Sequence, residues 1–507
     1  MIVRGEIKKG SYYDSITLMR VGKAVAALDG VTDAAVVMGT QTNKGILGAS
    51  GLYLSDFDAA GDTDLLIAVK AEAGAAVDQA LAEVEKELKE ATKKKSAGGA
   101  AARPSSLEGA VEVLPGANLA IISVAGRYAG DVAMEALERG LHVMLFSDNV
   151  SLEKEIELKK YGRDHGLLVM GPDCGTAIIN GAPLAFANIV PRGPIGVVAA
   201  AGTGLQEVSC LIANEGGGIS QALGTGGRDV KKDVGGIMFI EGIKALAADD
   251  KTKAILLVSK PPHPDVLKSI EAVTAALKKP VVSMFLGDET SKGPHTLEEA
   301  ALTVLALSRG ESAEEARRAV ESRDLEMKKT AKKLAARLQG RKYVRGLFSG
   351  GTFCAEAQVI FRKLGIRGVF SNAPTAGAAK LKDSLHSEQH SVVDYGEDEF
   401  TVGRPHPMID FSLRNKRIEA EANDPATAVI LLDVVLGFGA NMDPAPELAP
   451  VVAKAAKKVA VVCSVTGTDR DPQNRPKVIE ALEQAGAIVL PSNAAACFMA
   501  GFIAGNL

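Results

Sequence analysis

The chain has 507 residues, a length that predicts three or four domains. It is 47% hydrophobic with a net charge of −4, only 4% aromatic and without Trp, so it has cores to build but neither the basic field nor the stacking platform of a nucleic-acid binder. No apolar run approaches the roughly eighteen residues of a membrane span, no signal peptide opens the chain, and five scattered cysteines without CxxC spacing fit a reducing cytoplasm rather than a disulfide frame or zinc site.

Residues 1–91 read as a small α/β domain: a strand at 2–8, an amphipathic helix at 15–28, strands at 34–38 and 64–69, and a charged helix at 73–89. The turn 38–44 reads first as a polar connection and second as an anion seat. Residues 92–106, rich in Lys, Gly, Ala and Pro, form a linker. The segment 107–192 carries two βα units and leaves GPDCGT (171–176) at a strand end, where ligands of parallel sheets gather. Cys174 there reads as a small loop residue before it reads as a nucleophile.

A further α/β domain covers 193–309. It has a strand at 195–201, the apolar segment 236–240, a strand at 254–259, a helix at 265–277 and a strand at 281–286. His263 and His295 stand in loops, His295 just ahead of a helix. Residues 310–342 are a charged helical connector with a solvated face. The last domain, 343–507, has strands at 343–348, 429–435, 459–464 and 487–490, and a long polar excursion at 376–417. That excursion carries His386, His390, His406 and an acidic patch at 394–399. HSEQH would put two histidines one helical turn apart, but no HExxH pattern supports a metal, and none is assigned.

Two stretches carry the chemistry. After the strand at 195–201 come Gly202, Thr203 and Gly204 and then a helix, with Thr203 and Gln206 spaced as a capping box. After the strand at 343–348 come Ser349, Gly350, Gly351 and Thr352 and a second amphipathic helix. Each is a strand, glycine turn and helix start, which makes a seat for phosphate or carboxylate. A repeated seat suggests two related halves whose helix N-termini converge on one anion.

Residues 171–176, 195–204 and 223–229 (LGTGGRD) resemble the α subunit of succinyl-CoA synthetase. Residues 347–354 (LFSGGTFC) and 434–439 (VVLGFG) resemble the carboxyl-terminal domain of its β subunit. With 13–19 and 38–44, the order of motifs resembles the FdrA family across essentially the whole chain. The resemblance implies an α/β fold class of several doubly wound parallel-sheet domains. These are a Rossmann-like CoA-binding-type domain at 107–192 and two flavodoxin-like CoA-ligase domains at 193–309 and 343–507.

The chain departs from the synthetase at several points. Ser259-Lys260-Pro261 stands where the glutamate supporting the phosphohistidine falls, and His295 is followed by Thr296-Leu297-Glu298 instead of a glycine-rich run. No ATP-grasp domain and no opening glycine-rich CoA unit is found. Through FdrA-type chains, the resemblance implies a subunit of oxamate carbamoyltransferase in anaerobic allantoin and purine breakdown, interconverting oxalurate plus phosphate with oxamate plus carbamoyl phosphate. Thr203 and Thr352 would be catalytic. Gly202, Gly204, Gly227, Ser349, Gly350 and Gly351 would seat phosphate or carbamoyl phosphate, and Arg228, Asn441 or Arg470 would pair the carboxylate. The alternative is an ADP-forming acyl-CoA synthetase subunit, with His295 carrying phosphate, CoA as substrate and a partner supplying ATP-grasp. A second alternative is a regulatory subunit that binds an acyl phosphate or CoA without turnover. All three imply a small anionic substrate, a cytoplasmic hetero-oligomer and a homodimer, with no membrane and no nucleic acid.

Overall fold

A computed structural model describes every residue except 12, 14, 97–103, 105, 289–292, 339, 402 and 403. The described residues divide into two compact units, 1–115 with 398–406, and 116–397 with 407–507.

The first unit contains β1 (Ile2–Lys8), α1 (Ser15–Ala26), β2 (Val31–Met38), α2 (Gln41–Ala49), β3 (Leu65–Ala71), α3 (Gly74–Ser96) and α4 (Leu107–Val113). Its sheet is antiparallel in the order β1-β3-β2, and six of the seven residues of the central β3 are buried. The turn at 38–44 proves to be the start of α2. Thr40 caps the amide of Asn43, and the Lys44 ammonium bonds the Ala60 carbonyl at 2.7 Å, so that cation is engaged. Gly45 and Gly48 hide this helix from a periodicity reading because they leave gaps in its face. α3 runs on to Ser96, into the expected linker at 92–106, most of whose remainder lies outside the described residues.

The second unit opens with β4 (Leu119–Ile122), α5 (Gly126–Glu138), β5 (His142–Leu145), α6 (Leu152–Asp164) and β6 (Val169–Met170), a three-stranded parallel Rossmann-like sheet. Next come β7 (Thr176–Ile179) and β8 (Ala182–Ala185), a hairpin the sequence reading placed with the preceding domain. β7 pairs antiparallel with a strand of the following sheet, so the hairpin extends that sheet instead. The sheet continues through β9 (Arg192–Ala199), α7 (Gly202–Asn214), β10 (Ile219–Gly224), α8 (Ile237–Ala248), β11 (Ala254–Ser259), α9 (Pro264–Ala275), β12 (Val281–Phe285) and α10 (Leu297–Arg309). Its order is β12-β11-β9-β10-β7-β8. The apolar segment at 236–240 is the start of α8.

The charged helix α11 (Ala313–Ala335) leads to β13 (Tyr343–Phe348), α12 (Gly351–Lys363), β14 (Val369–Ser371), β15 (Ala379–Lys380) and β16 (His390–Asp394). After α13 (Asp398–Thr401) come α14 (Ser412–Asn423), β17 (Thr427–Val435), α15 (Pro444–Ala455), β18 (Ala460–Thr466), α16 (Arg475–Gln484), β19 (Ile488–Leu490) and α17 (Asn493–Ala504). The sheet is parallel in the order β15-β14-β16-β13-β17-β18-β19. All nine residues of β17 are buried, as a strand covered by helices on both faces requires. The polar excursion at 376–417 therefore contains a core strand: four of the five residues of β16 are buried, although only Val392 and Val393 are apolar.

β9 lies between β10 and β11, and β13 between β16 and β17, so the carboxyl end of each is a topological switch point, where open α/β sheets form their crevices. The helices that leave these points, α7 and α12, share one apolar core with α10 and α17 through Leu205, Val208, Phe353, Ala357, Val304 and Ala496. A buried ion network fixes the Rossmann-like layer to the loop after β10. Lys159, fully buried on α6, bonds Glu155 at 2.7 Å, Asp229 at 2.8 Å and the Thr225 carbonyl at 3.0 Å. Replacing Lys159 by Met leaves two buried carboxylates without their ammonium. The expected loss is about 3–5 kcal/mol in urea unfolding followed by circular dichroism. A loss below about 0.5 kcal/mol, the scale of a surface change, would contradict it.

Candidate functional site

The strand ends at 199–204 and 348–352 place two helix N-termini against each other. α7 has Ala201 as its N-cap and α12 has Gly350, and neither receives a side-chain cap. The capping box expected from Thr203 and Gln206 does not form: the helix starts one residue before Thr203. The Thr203 hydroxyl instead accepts from the Thr352 amide at 3.4 Å, and Gln206 bonds Asn188 at 3.1 Å. A Cβ on Gly204 would lie 3.0 Å from Thr352 Cγ2, and one on Gly350 2.9 Å from Thr203 Cγ2. The glycines of both turns thus serve close approach of the two helices.

The two first turns are equivalent. Thr203 and Thr352 are the second residues of α7 and α12, and Glu207 and Glu356 the sixth, a shared G-T-x-x-x-E spacing that the sequence displays at 202–207 and 351–356. Each glutamate supports another helix. Glu207 accepts from the Asn493 amide at the start of α17 and from the Thr466 hydroxyl. Glu356 accepts from the Leu297 amide at the start of α10 and from the Asn493 side chain. Burial raises both to about 7, against the lowering effect of these bonds.

Asp433, at the end of β17, takes the amides of Ser349 (2.7 Å) and Gly350 (2.9 Å) and is held by Arg414 at 2.8 Å. Ser349 and Gly350 are therefore not phosphate donors, because a buried carboxylate already occupies their N–H groups. Asp394, at the end of β16, lies so close that a Cβ on Gly351 would come within 2.6 Å of its Oδ2. Burial raises Asp394 to about 7; the Gly396 amide, at 2.8 Å, and the charge of Lys260 pull it down, while Glu397 and Asp433 push it up. Asp394 and Lys260, which the sequence shows only as the end of an acidic patch and as part of Ser259-Lys260-Pro261, are brought toward the two helix starts by the fold. A short strand of two valines inside a polar stretch concealed the first.

Most of the other expected residues lie elsewhere. Arg228 is bonded to Glu155 (2.8 Å) and the Val150 carbonyl (2.8 Å), which makes it a strut to α6. Gly227, in the same loop, stays beside the start of α7: a Cβ there would lie 4.0 Å from the carbonyl of Ala200, which precedes the α7 N-cap Ala201. Asn441 braces its own loop through Glu447 and Asp443. Arg470 borders a cavity with Asn214, at the opposite end of α7 from Thr203. His295 is exposed, and among the described residues its ring bonds no seat residue; only its backbone amide is bonded, to Glu299. His263 caps α9, His386 pairs with Asp383, and His390 accepts from the Val344 amide, its pKa lowered to about 4 chiefly by burial. Cys174 is buried against carbonyls and raised to about 12, which leaves no thiolate for nucleophilic attack. Among the described residues no group of three or more His, Cys, Asp or Glu is placed to hold a metal, and no helix is long and apolar enough to cross a membrane.

A CoA-ligase family profile matches residues 347–503, and a profile described as AllF, heavy metal-associated domain, matches 1–104. The uncharacterized protein YahF of Escherichia coli (strain K12) is 40% identical over 513 aligned residues, 97% of each chain. The chain belongs to the FdrA family. A stretch of the chain is similar to the succinate–CoA ligase [ADP-forming] subunit alpha of Staphylococcus aureus (strain N315), 29% identical over 182 residues. That match spans 35% of this chain and 58% of the relative, little more than half its length. PH0766 from Pyrococcus horikoshii OT3 is a looser likeness, with a TM-score of 0.31 and 15% identity over 78% of this chain and 86% of that one. In this family member the stretch matched by the heavy metal-associated profile has neither Cys nor His, so it offers no thiolate or imidazole ligand.

The raised carboxylates give the family seat a pH signature. Glu207 titrates near 7 when folded and near 4.5 as a free side chain, so between those values the folded state keeps a proton that the unfolded state has lost. Its contribution to stability falls as pH rises through this window and is constant above it. His390, with a lowered pKa, acts in the opposite sense between about 4 and 6.5, so the difference between variants is the useful quantity. Glu207→Gln mimics the protonated acid, and its melting temperature relative to the wild type should rise between pH 5 and pH 8. A difference independent of pH would contradict this assignment.

Proposed function

We propose that the chain is the ligase component of an acyl-CoA synthetase-type enzyme, and that phosphate or the phosphoryl end of an acyl phosphate rests between the first turns of α7 and α12. The observation that carries this reading is the interlocked pair of uncapped N-termini, each with Thr at its second position. Two helix dipoles, each worth about half a positive charge, meet there. The first-turn amides of Gly202, Thr203, Gly204 and Gly351 supply N–H donors for an oxyanion that gathers charge as an acyl carbon is attacked. The CoA-ligase match over 347–503 and the likeness to the succinate–CoA ligase α subunit support the reaction class.

In the thioester-forming direction, a thiol attacks the acyl phosphate carbon and phosphate departs. Asp394 accepts the thiol proton, and the positive charge of Lys260, felt at Asp394, favours its charged form. With a pKa of about 7, Asp394 exchanges that proton near neutrality at little cost. CoA is the thiol of this reading, and a partner subunit supplies the nucleotide chemistry.

A second reading is carbamoyl transfer, in which phosphate attacks oxalurate directly and oxamate leaves with a proton from Asp394. The exposed His295, whose ring bonds no seat residue among the described residues, favours it, because this route needs no phosphohistidine. Thermal shift of the purified chain separates the two, since a ligand that binds only the folded state raises its stability. With phosphate, carbamoyl phosphate, oxalurate, oxamate, CoA and ADP as probes, the main reading predicts shifts with phosphate and CoA, the former lost in Thr352→Val. Shifts with carbamoyl phosphate or oxalurate but not CoA would replace it by carbamoyl transfer. No shift with any phosphate compound would remove both.

A further inference from the structure

A cavity of about 650 Å³ opens at the end of α7 remote from the seat. It is bordered by Arg192 at the start of β9, Asn214 at the end of α7, Arg309 at the end of α10, and Arg470 and Arg475 after β18. Among the described residues Asp469 is the only carboxylate on its wall, so four positive charges and one negative leave a local charge of +3 in a chain whose net charge is −4. The guanidinium bonds go to neutral acceptors: Arg192 to Asn180 at 3.4 Å, Arg309 to the Glu215 carbonyl at 2.8 Å, and Arg475 to the Val465 carbonyl at 3.2 Å. The Arg470 side chain is exposed. Each guanidinium has five N–H donors, so most of them remain for a ligand.

The wall is fixed without a ligand. Asp471 accepts from the amides of Thr468 (2.8 Å) and Ile189 (2.8 Å) and from the Asn188 side chain (2.7 Å). The Thr468 hydroxyl bonds the Ile189 carbonyl at 2.7 Å, and Asn214 bonds the Gly467 carbonyl at 3.0 Å. These contacts hold the loop with Arg470 and Arg475 against the segment leading to Arg192. Little ordering is left to oppose binding. The volume lies in the range of small-molecule sites.

We propose that this cavity is a second anion site that binds a compact metabolite with two or more phosphate or carboxylate groups. Four guanidiniums match such groups in charge and in paired N–H geometry. The lining has no aromatic residue to stack a base, which argues for a compact ligand over a nucleotide. Asn214 follows Thr203 by eleven residues of α7, which puts the site roughly 16 Å from Thr203 at 1.5 Å per residue, too far for a compact ligand to bridge both.

Calorimetric titration of the full chain with pyrophosphate and, separately, with citrate tests this. Binding of either supports the shared chemistry, and the stronger of the two identifies its class. Arg470→Glu and Arg309→Gln should each weaken that binding by roughly tenfold or more, the loss expected of a charge-assisted contact. Thr352→Val, on α12 against the other end of α7, should leave it unchanged. Failure of the wild type to bind either probe would overturn the proposal. So would binding that Thr352→Val abolishes and both arginine variants leave intact.

Discussion

Two helix N-termini face each other inside this protein, and the surroundings are arranged around that juxtaposition. Like ends of helix dipoles repel. Two half charges ~5 Å apart at an effective dielectric of about 20 oppose each other by on the order of 1 kcal/mol, and a divalent anion between them gains several times that before its own desolvation. Side chains do not cap either helix, and Gly204 and Gly350 remove the Cβ atoms that would hold the turns apart. Carboxylates close by offset the positive ends: Asp433 on the turn before α12, and Asp394 against Gly351. Asp433 is itself paired with Arg414, and Asp394 is partly protonated near neutrality, so the two N-termini keep positive potential between them.

The same two helices hold the assembly together. Glu207 of α7 caps α17, and Glu356 of α12 caps α10, so each seat helix supplies to a neighbour the kind of contact that it lacks at its own start. Asn493 bonds both glutamates and links the two halves. Both acids are buried deeply enough to stay partly protonated near neutrality, which avoids setting two full negative charges in the core. Arg323 performs the analogous service for Glu298 at 2.8 Å. The seat is thereby built into the packing of four helices, and its geometry does not rest on a loop.

The sequence displayed the parts of this site that are local. Strand, glycine turn and helix at 195–214 and 343–363 follow from apolar runs and punctuation, and their repetition pointed to convergence. What it hid depends on contacts distant along the chain. Thr203 meets Thr352 across 149 positions and Glu207 meets Asn493 across 286, so nothing in local spacing tells that Thr203 is bonded outward and is not a cap. Arg228, Asn441 and Arg470 were attractive because charged or amide side chains stood at strand ends, yet the fold turns the first two into braces and places the third at another cavity. The short strand β16 escaped because burial there comes from its neighbours β13 and β14, not from its own polar-looking residues.

The most direct measurement is a crystal structure of the chain grown with tungstate, a heavy divalent oxyanion that stands in for phosphate and is located by its anomalous scattering. One ion is expected between α7 and α12, within hydrogen-bonding distance of the first-turn amides around Thr203 and Thr352. Tungstate bound among Arg192, Arg309, Arg470 and Arg475 with nothing between the two helices would contradict it.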